Sequence, residues 1–258
     1  MLELDDISRH FGGVKAVDHL TLQVRRGEIL GLIGPNGSGK STTVNLIAGL
    51  FKPTAGTLRF DGHDIAALPP HRRAELGIAR TFQNIRLFSQ LTVWQNLWAA
   101  RVVRESGWAG FKARWLAGAG AARDEAEQLL EFSGLAARRD QLAGNLAFGE
   151  QRRLELARAA ASGASLLLLD EPAAGMNAQE IDELDARIRS LRDQGRTILL
   201  IEHHMELVMG VCDRVAVLNF GRKIAEGTPA QVQDDAQVRA AYLGADDGDE
   251  LMNAALAA

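Results

Sequence analysis

The sequence lacks most of the features that mark exported and membrane-spanning proteins. Its 258 residues include one cysteine, Cys212, which excludes an internal disulfide and favours a reducing compartment. The apolar runs reach only about five residues, far short of the length that spans a bilayer. The chain opens without a basic region followed by an apolar stretch, so no export signal is expected. We therefore expect any role at a membrane to be exerted through a partner.

The chain also lacks a large excess of charge of either sign. Lys plus Arg total 29 and Asp plus Glu total 33, a formal net charge of -4. This near balance does not favour a protein that binds nucleic acid through its overall charge. The single Cys212 falls in step with Met205, Val208 and Met209. We therefore predict that it lies in the core and is not a reactive thiol.

A phosphate-binding loop is the strongest feature that the sequence does contain. Residues 34–42 fit the pattern G-x-x-x-x-G-K-[ST]. An apolar run at residues 28–33, typical of a buried strand, precedes the loop. After the loop, Val44, Ile47 and Phe51 recur at helical spacing. The motif requires a strand, a loop and a helix in this order, and the sequence provides them. The predicted phosphate-binding residues are Gly34, Pro35, Asn36, Gly37, Ser38, Gly39, Lys40, Ser41 and Thr42.

The residue types of this loop suit a nucleoside triphosphate. Glycines let backbone amides approach phosphate oxygens closely, and the positive end of the following helix favours the same negative charge. Lys40 is predicted to reach the β and γ phosphates, and the Ser41 hydroxyl is predicted to take a Mg2+ site.

Polar residues follow two further apolar runs. The run 165–169 ends in Asp170 and Glu171, and the run 197–201 is followed closely by His203. Ligands bind at the carboxyl ends of strands in open parallel sheets. Asp170 is thus placed to hold Mg2+ and Glu171 to activate water, while His203 is placed to contact the γ phosphate. The alternatives are carboxylates that are merely solvated and a structural histidine.

The order of the patterns predicts an α/β protein. Alternating segments at residues 2–4, 21–24 and 57–60 predict a small antiparallel sheet. Later, buried strands alternate with helices, which predicts a parallel sheet covered on both faces. We predict a P-loop NTPase fold of RecA-like type, with a small antiparallel β subdomain and an inserted α-helical subdomain. The predicted boundaries are 1–84 and 164–231 for the core, 85–163 for the helical subdomain, and 232–258 for a C-terminal helix and loose tail.

Several local expectations follow from the same patterns. We expect Phe51 to lie in the helix after the loop, a short strand over 78–83, a helix beginning near Glu150, and a capping box at Thr228 and Gln231. Trp108, Phe111 and Trp115 share one helical face, which predicts packing on neighbouring helices or, alternatively, a surface for a partner.

Six motifs, in order, resemble those of the ATP-binding subunit of ABC transporters across nearly the whole chain. They are the phosphate loop, Gln83 within 80–83, the signature stretch 146–153, the Asp170–Glu171 pair, the D-loop 174–177 and His203. The resemblance implies that the nucleotide is ATP. It also implies that Gln83 senses Mg2+ and the γ phosphate and joins the catalytic residues. Phe11 would stack on adenine, since stacking needs only a flat ring; the alternative is a core phenylalanine at a strand end.

The signature stretch departs from the general family pattern. It usually reads Leu-Ser-Gly-Gly-Gln or Leu-Ser-Gly-Gly-Glu, whereas here Ala147 replaces the serine and Phe148 the first glycine, with Gly149 and Glu150 retained. The D-loop usually ends in Asp, and here it ends in Asn177. Both departures resemble the ATPases of branched-chain amino acid uptake systems. The segments 80–88, 170–177, 201–203 and 241–244 also resemble that subgroup.

This resemblance implies an ATPase on the cytoplasmic face of the inner membrane. Its partners would be two transmembrane permease subunits, a second ATP-binding subunit and, indirectly, an external solute-binding protein, with no nucleic acid. The signature of one chain would complete the phosphate loop of the other, as a heterodimer or, alternatively, a homodimer. Other possible functions are lipopolysaccharide export, import of urea, amides or other amino acids, a soluble ABC ATPase acting on nucleic acid or ribosomes, and phosphotransfer.

Overall fold

The protein is built from two sheets with helices packed around them. The computed structural model describes residues 1–104 and 126–243. Its strands are β1 (Leu2–Phe11), β2 (Val14–Val24), β3 (Ile29–Ile33), β4 (Ala55–Phe60), β5 (His63–Asp64), β6 (Ile78–Arg80), β7 (Leu166–Asp170), β8 (Thr197–Ile201), β9 (Arg214–Asn219) and β10 (Arg222–Gly227). Its helices are α1 (Lys40–Ala48), α2 (Pro70–Glu75), α3 (Val93–Arg104), α4 (126–133), α5 (Phe148–Ala161), α6 (Ala178–Asp193), α7 (Met205–Val211), α8 (Pro229–Asp234) and α9 (Ala236–Leu243).

The two sheets differ in strand direction. The four-stranded sheet has the order β2-β1-β4-β5 and is antiparallel throughout. The six-stranded sheet has the order β10-β9-β3-β8-β7-β6, and only β10 runs antiparallel to its neighbour. This arrangement confirms the predicted α/β class, with a parallel sheet and a smaller antiparallel one.

The centre of the parallel sheet is buried on both faces, since β3, β7 and β8 consist mostly of apolar residues and are buried at every position. In β3, Ile29 and Ile33 pack into one core together with α6 and α7. Leu30 and Leu32, which point the other way, pack into a second core with α1 and the antiparallel sheet. Cys212 lies buried in the first of these cores, as predicted. A third core joins α3, α4 and α5.

Four local expectations need correction. The helix after the phosphate loop ends at Ala48, because Gly49 adopts the left-handed conformation with φ of 83° and caps it, so Phe51 lies beyond the helix. β6 covers only Ile78–Arg80 of the expected 78–83. α5 begins at Phe148, two residues before the expected start. The expected single C-terminal helix is two short helices, since Asp235 is extended between α8 and α9.

Other expectations have different outcomes. The capping box at Thr228 and Gln231 is present: Gln231 N donates to Thr228 Oγ1 over 3.3 Å and Thr228 N to Gln231 Oε1 over 2.9 Å. The Trp108–Trp115 segment and the tail after Gly244 lie outside the described residues. The division into subdomains remains a prediction. Among the described residues, no helix has both the length and the apolarity that a membrane crossing requires.

Candidate functional site

The phosphate loop leaves the centre of the parallel sheet, where β3 lies between β8 and β9. Two of its glycines are required by close backbone approaches. A Cβ on Gly34, with φ of 146°, would lie 2.1 Å from the Leu218 carbonyl oxygen of β9. A Cβ on Gly39, with φ of 103°, would lie 2.4 Å from the Ala16 carbonyl oxygen of β2. The loop is therefore held between the two sheets.

The start of α1 is suited to an anionic ligand. Gly39 is its N-cap residue and provides no side-chain cap, and the first turn contains no acidic residue. The helix end thus keeps its positive potential for a ligand. Lys40 is buried, and its Nζ donates to the carbonyl oxygens of Gly34 at 2.5 Å and Pro35 at 3.0 Å. Ser41 lies on the exposed side of the same turn.

Phe11 ends β1 with its side chain 40% exposed. Its ring meets the Phe51 ring edge-on at 5.2 Å between centroids, and the Arg9 guanidinium lies 4.4 Å from the Phe11 centroid. The chain turn after Gly49 thus places Phe51 as a support for Phe11. An aromatic ring that is supported on one side and exposed on the other is suited to stacking on a base.

Asp170 ends β7 and is buried. Its Oδ2 accepts from Arg80 Nη2 at 2.7 Å, and Arg80 Nη1 donates to Asn45 Oδ1 of α1 at 2.6 Å. Arg80 therefore ties Asp170 to the helix that follows the phosphate loop. Sequence reasoning missed this role. The available signal was an arginine three residues before Gln83, within the strand predicted over 78–83.

Glu171 and Gln83 are brought together although 88 positions separate them. Gln83 Nε2 donates to Glu171 Oε2 at 2.8 Å. Glu171 has a left-handed backbone with φ of 48°, and its N–H donates to the Ile201 carbonyl at 2.9 Å. Non-glycine residues rarely adopt this conformation, and those that do cluster at functional sites.

His203 lies just beyond β8, the strand that pairs with β7. Asp170 is in register with Ile201, so His203 and Glu171 follow neighbouring strand ends. The His203 side chain is 53% exposed and its Nδ1 lies 3.9 Å from Glu202 Oε2. The histidine is therefore accessible at this edge of the sheet, and its contact with the γ phosphate stays a prediction.

The signature residues Ala147, Phe148, Gly149 and Glu150 form the start of α5. The alanine has no acceptor for a cap, and the Ala147 N–H donates back to Glu150 Oε2 at 3.0 Å. Phe148 is 49% exposed, and its ring lies against Gly175, where a Cβ would come 3.1 Å from Phe148 Cε1.

The D-loop residue Asn177 lies beside the signature. Asn177 is the N-cap of α6: its Oδ1 accepts from Glu180 N, and its own N–H donates to Glu180 Oε2, both at 3.0 Å. The same Glu180 carboxylate contacts Gly149, where a Cβ would come 2.2 Å from Oε1. Sequence reasoning missed Glu180, whose signal was its place three residues after Asn177.

A buried ion pair connects α5 with the segment around Gln83. Arg152 Nη1 donates to the Phe82 carbonyl at 2.9 Å, and Nη2 donates to the Gln83 carbonyl. Glu155 Oε2 lies 3.2 Å from Arg152 Nη1, and Glu155 Oε1 accepts from Arg86 N at 3.3 Å. Burial raises the pKa of Glu155 even with these partners. The signature helix is thereby bound to the backbone that carries Gln83.

Comparisons with known proteins agree with this geometry. The family model described as ABC transporter matches residues 17–174. A second one, described as branched-chain amino acid ATP-binding cassette transporter, matches residues 222–248.

Curated relatives cover nearly the whole chain. The branched-chain amino acid transport ATP-binding protein BraF of Pseudomonas aeruginosa is 43% identical over 95% of this chain and 98% of its own length. The corresponding LivG of Escherichia coli is 42% identical over the same shares. The lipopolysaccharide export ATP-binding protein LptB of Haemophilus influenzae is 36% identical over 95% and 97%.

A solved structure confirms the predicted P-loop NTPase fold. The crystal structure of an ABC transporter ATP-binding cassette in its ADP conformation has a TM-score of 0.83 and 31% identity, covering 95% of this chain and 98% of that one.

Proposed function

The chain belongs to the ATP-binding cassette family of ABC transporters, and from this premise we propose that it is the ATPase subunit of an importer of branched-chain amino acids. The single observation that carries the proposed chemistry is the contact between Gln83 and Glu171 at 2.8 Å. This contact places a neutral amide on a carboxylate at the strand edge next to the phosphate loop.

The loop residues would hold the phosphates of ATP, and Lys40 would turn from the Gly34 and Pro35 carbonyls toward the β and γ phosphates. Ser41, Gln83 and Asp170 would hold Mg2+, which when bound neutralises charge on the phosphate oxygens. These donors fit the ion, because Mg2+ prefers oxygen ligands and uses one or two carboxylates together with phosphates. The described residues form no cluster of three or more His, Cys, Asp or Glu suited to a metal.

Hydrolysis would proceed with Glu171 as the general base. Its carboxylate would accept a proton from water as that water attacks the γ phosphorus and the bond to the bridging oxygen of ADP breaks, with ADP and phosphate as products. Gln83 would hold the carboxylate until nucleotide arrives, and His203 would contact the γ phosphate from the neighbouring strand end. Phe11 would stack on adenine and so fix the base at the outer end of the site.

A second ATP-binding chain would complete each site. The signature residues Ala147 to Glu150 would face the phosphate loop of that chain. Asn177 would lie at the interface between the two chains. Ala147 offers no hydroxyl to the γ phosphate, and this favours a heterodimer in which the other chain carries an intact signature. Two permease subunits would couple closure to transport at the cytoplasmic face of the membrane, and an external binding protein would supply the solute.

The substrate class rests on the relatives and on the C-terminal match. BraF and LivG are more similar to this chain than the lipopolysaccharide-export relatives are, at 42–43% against 35–36% identity. The match over residues 222–248 carries the branched-chain amino acid description as well.

Reconstitution tests the proposal directly. The chain is placed in lipid vesicles with the permeases and partner ATPase that co-purify with it, and uptake of labelled leucine and urea is measured with and without ATP. We expect ATP-dependent leucine uptake that is lost in Glu171→Gln. Uptake of urea alone, release of lipopolysaccharide, or transport that does not depend on ATP would each contradict the proposal.

A further inference from the structure

Glu202 is a buried acidic residue that the proposed chemistry does not use. It follows β8 directly and stands between Ile201 and His203. Its side chain is 0% exposed. Among residues 1–100 and 126–243, no lysine or arginine forms an ion pair with it; the His203 imidazole is the one basic side chain within 4 Å, at 3.9 Å. A buried carboxylate without a strong counter-charge must be held by hydrogen bonds.

Three backbone N–H groups supply those bonds, and they come from two different loops. Glu202 Oε1 accepts from Ala173 N at 2.7 Å. Glu202 Oε2 accepts from His203 N at 3.0 Å and from His204 N at 3.2 Å. One oxygen therefore serves the loop after β7, and the other serves the loop after β8.

The first of these loops contains the left-handed turn at Glu171. Its start is held by the bond from Glu171 N to the Ile201 carbonyl at 2.9 Å, and two residues later Ala173 is held by Glu202. Both anchors come from the end of β8. An uncommon backbone conformation persists only where its surroundings over-determine it, and these two bonds do so for Glu171.

The second loop carries His203. Bonds from two successive N–H groups to one carboxylate oxygen fix the direction in which the chain leaves β8. The His203 imidazole is exposed, so its position depends on that backbone.

We propose that Glu202 is a positioning residue, which sets the backbones of Glu171 and His203 relative to each other through its two oxygens. The inference rests on the proposed function for its consequence in catalysis, while the geometric part stands on the hydrogen bonds alone. Burial raises the pKa of Glu202, and the three N–H bonds only partly offset this effect.

The substitution Glu202→Gln removes the hydrogen bonds to one of the two loops and keeps those to the other. The amide keeps the shape of the side chain but offers one accepting oxygen, so its NH2 group must face one of the two sets of N–H groups. Hydrogen exchange of the full-length chain is followed by mass spectrometry. Exchange at Ala173, or at His203 and His204, should be at least about tenfold faster than in the wild type. Exchange in residues 29–48 should not change.

Nucleotide measurements on the same protein connect positioning with catalysis. ATP stoichiometry and affinity should stay at the wild-type values, because Glu202 lies outside the phosphate loop. The maximal rate of ATP hydrolysis should fall about tenfold or more with no rise in KM. Unchanged stoichiometry shows that the fall is not due to an unfolded fraction.

Glu28→Gln is the matched control. Glu28 is also buried and also accepts from a backbone N–H, that of Arg25 at 2.5 Å, but it precedes β3 at the opposite end of the sheet. It should leave both the hydrolysis rate and exchange in residues 171–176 and 202–206 unchanged.

The outcomes are distinguishable. Wild-type exchange in both loops of Glu202→Gln, or equal acceleration across the whole chain, would overturn the positioning role. Faster exchange in one loop with an unchanged maximal rate would overturn its link to catalysis. A wild-type chain that does not hydrolyse ATP even with its partner would instead contradict the proposed function, and the exchange result would still decide the role of Glu202.

Discussion

Two regions of the protein hold their functional residues by different means. The first is the phosphate-loop edge, at the carboxyl ends of the parallel strands, and the second is the signature end, at the start of α5. At the edge, Asp170 ends β7, and Glu171 and His203 come after β7 and β8, two strands whose residues are all buried. At the signature end, α5 is held by side chains, with Phe148 on Gly175 and the Glu180 carboxylate against Gly149.

The difference determines how readily each region accepts a substitution. A glycine whose Cβ would meet a backbone oxygen at 2.1 Å, as at Gly34, cannot change without moving a strand. A helix start held by a flexible carboxylate and a ring can exchange one contact for another. Phe148 illustrates this, since it replaces the family glycine and fills the space over Gly175. Four variants test the comparison.

Lys40→Ala should have the largest effect. It removes the one charged side chain of residues 34–42, which we propose faces the phosphates, so equilibrium binding should show ATP affinity reduced about a hundredfold or more, from two lost charge-assisted bonds at about 1.5–3 kcal/mol each. Lys52→Ala, which removes an exposed lysine just beyond α1, is the control and should bind normally. Normal affinity in Lys40→Ala would contradict the assignment of the loop.

Glu171→Gln should leave ATP binding intact and slow hydrolysis about a hundredfold, the usual scale for loss of a general base. The amide cannot accept the proton of the attacking water. Single-turnover hydrolysis measures the effect, with Glu206→Gln, an exposed position in α7, as the control. Turnover at the parent rate would show that Glu171 is not the base.

The signature end should respond more weakly. Ala147→Ser combined with Phe148→Gly restores the family pattern and a hydroxyl for the γ phosphate of a second copy. ATP-dependent self-association, followed by light scattering on the Glu171→Gln background, should strengthen about tenfold, as one bond to a charged group predicts. A parent chain that already forms a tight ATP-dependent homodimer would show that its altered signature weakens nothing.

Gly149→Ala should have the smallest effect, on stability. The new Cβ would displace the Glu180 carboxylate, which also bonds Asn177 N, and urea unfolding should show a loss of about 0.5–2 kcal/mol, the range for a lost helix cap. Gly13→Ala, where a Cβ meets nothing within 4 Å, is the control. Equal stability of the two variants would contradict the contact between the signature and the D-loop.

Local patterns predicted most of the fold. Continuous apolar runs predicted β3, β7 and β8, and the capping pair at Thr228 predicted α8. The errors lie at element ends. The helix after the loop ends at Ala48 because a left-handed glycine follows. The apolar residues keep their helical spacing as far as Phe51, so the spacing does not indicate where the helix ends.

The candidate site likewise has one part that the sequence predicts and one part that depends on the tertiary structure. The sequence by itself determined that a phosphate loop opens α1 and that Asp170, Glu171 and His203 follow buried strands, because these statements depend on neighbours along the chain. Only the tertiary structure decided that Arg80 binds Asp170, that Gln83 binds Glu171, and that Glu202 holds two loops. The residues of the first two pairs lie 90 and 88 positions apart. Their meeting depends on which strands pair and in what register, and residue periodicity within one segment carries no information about that.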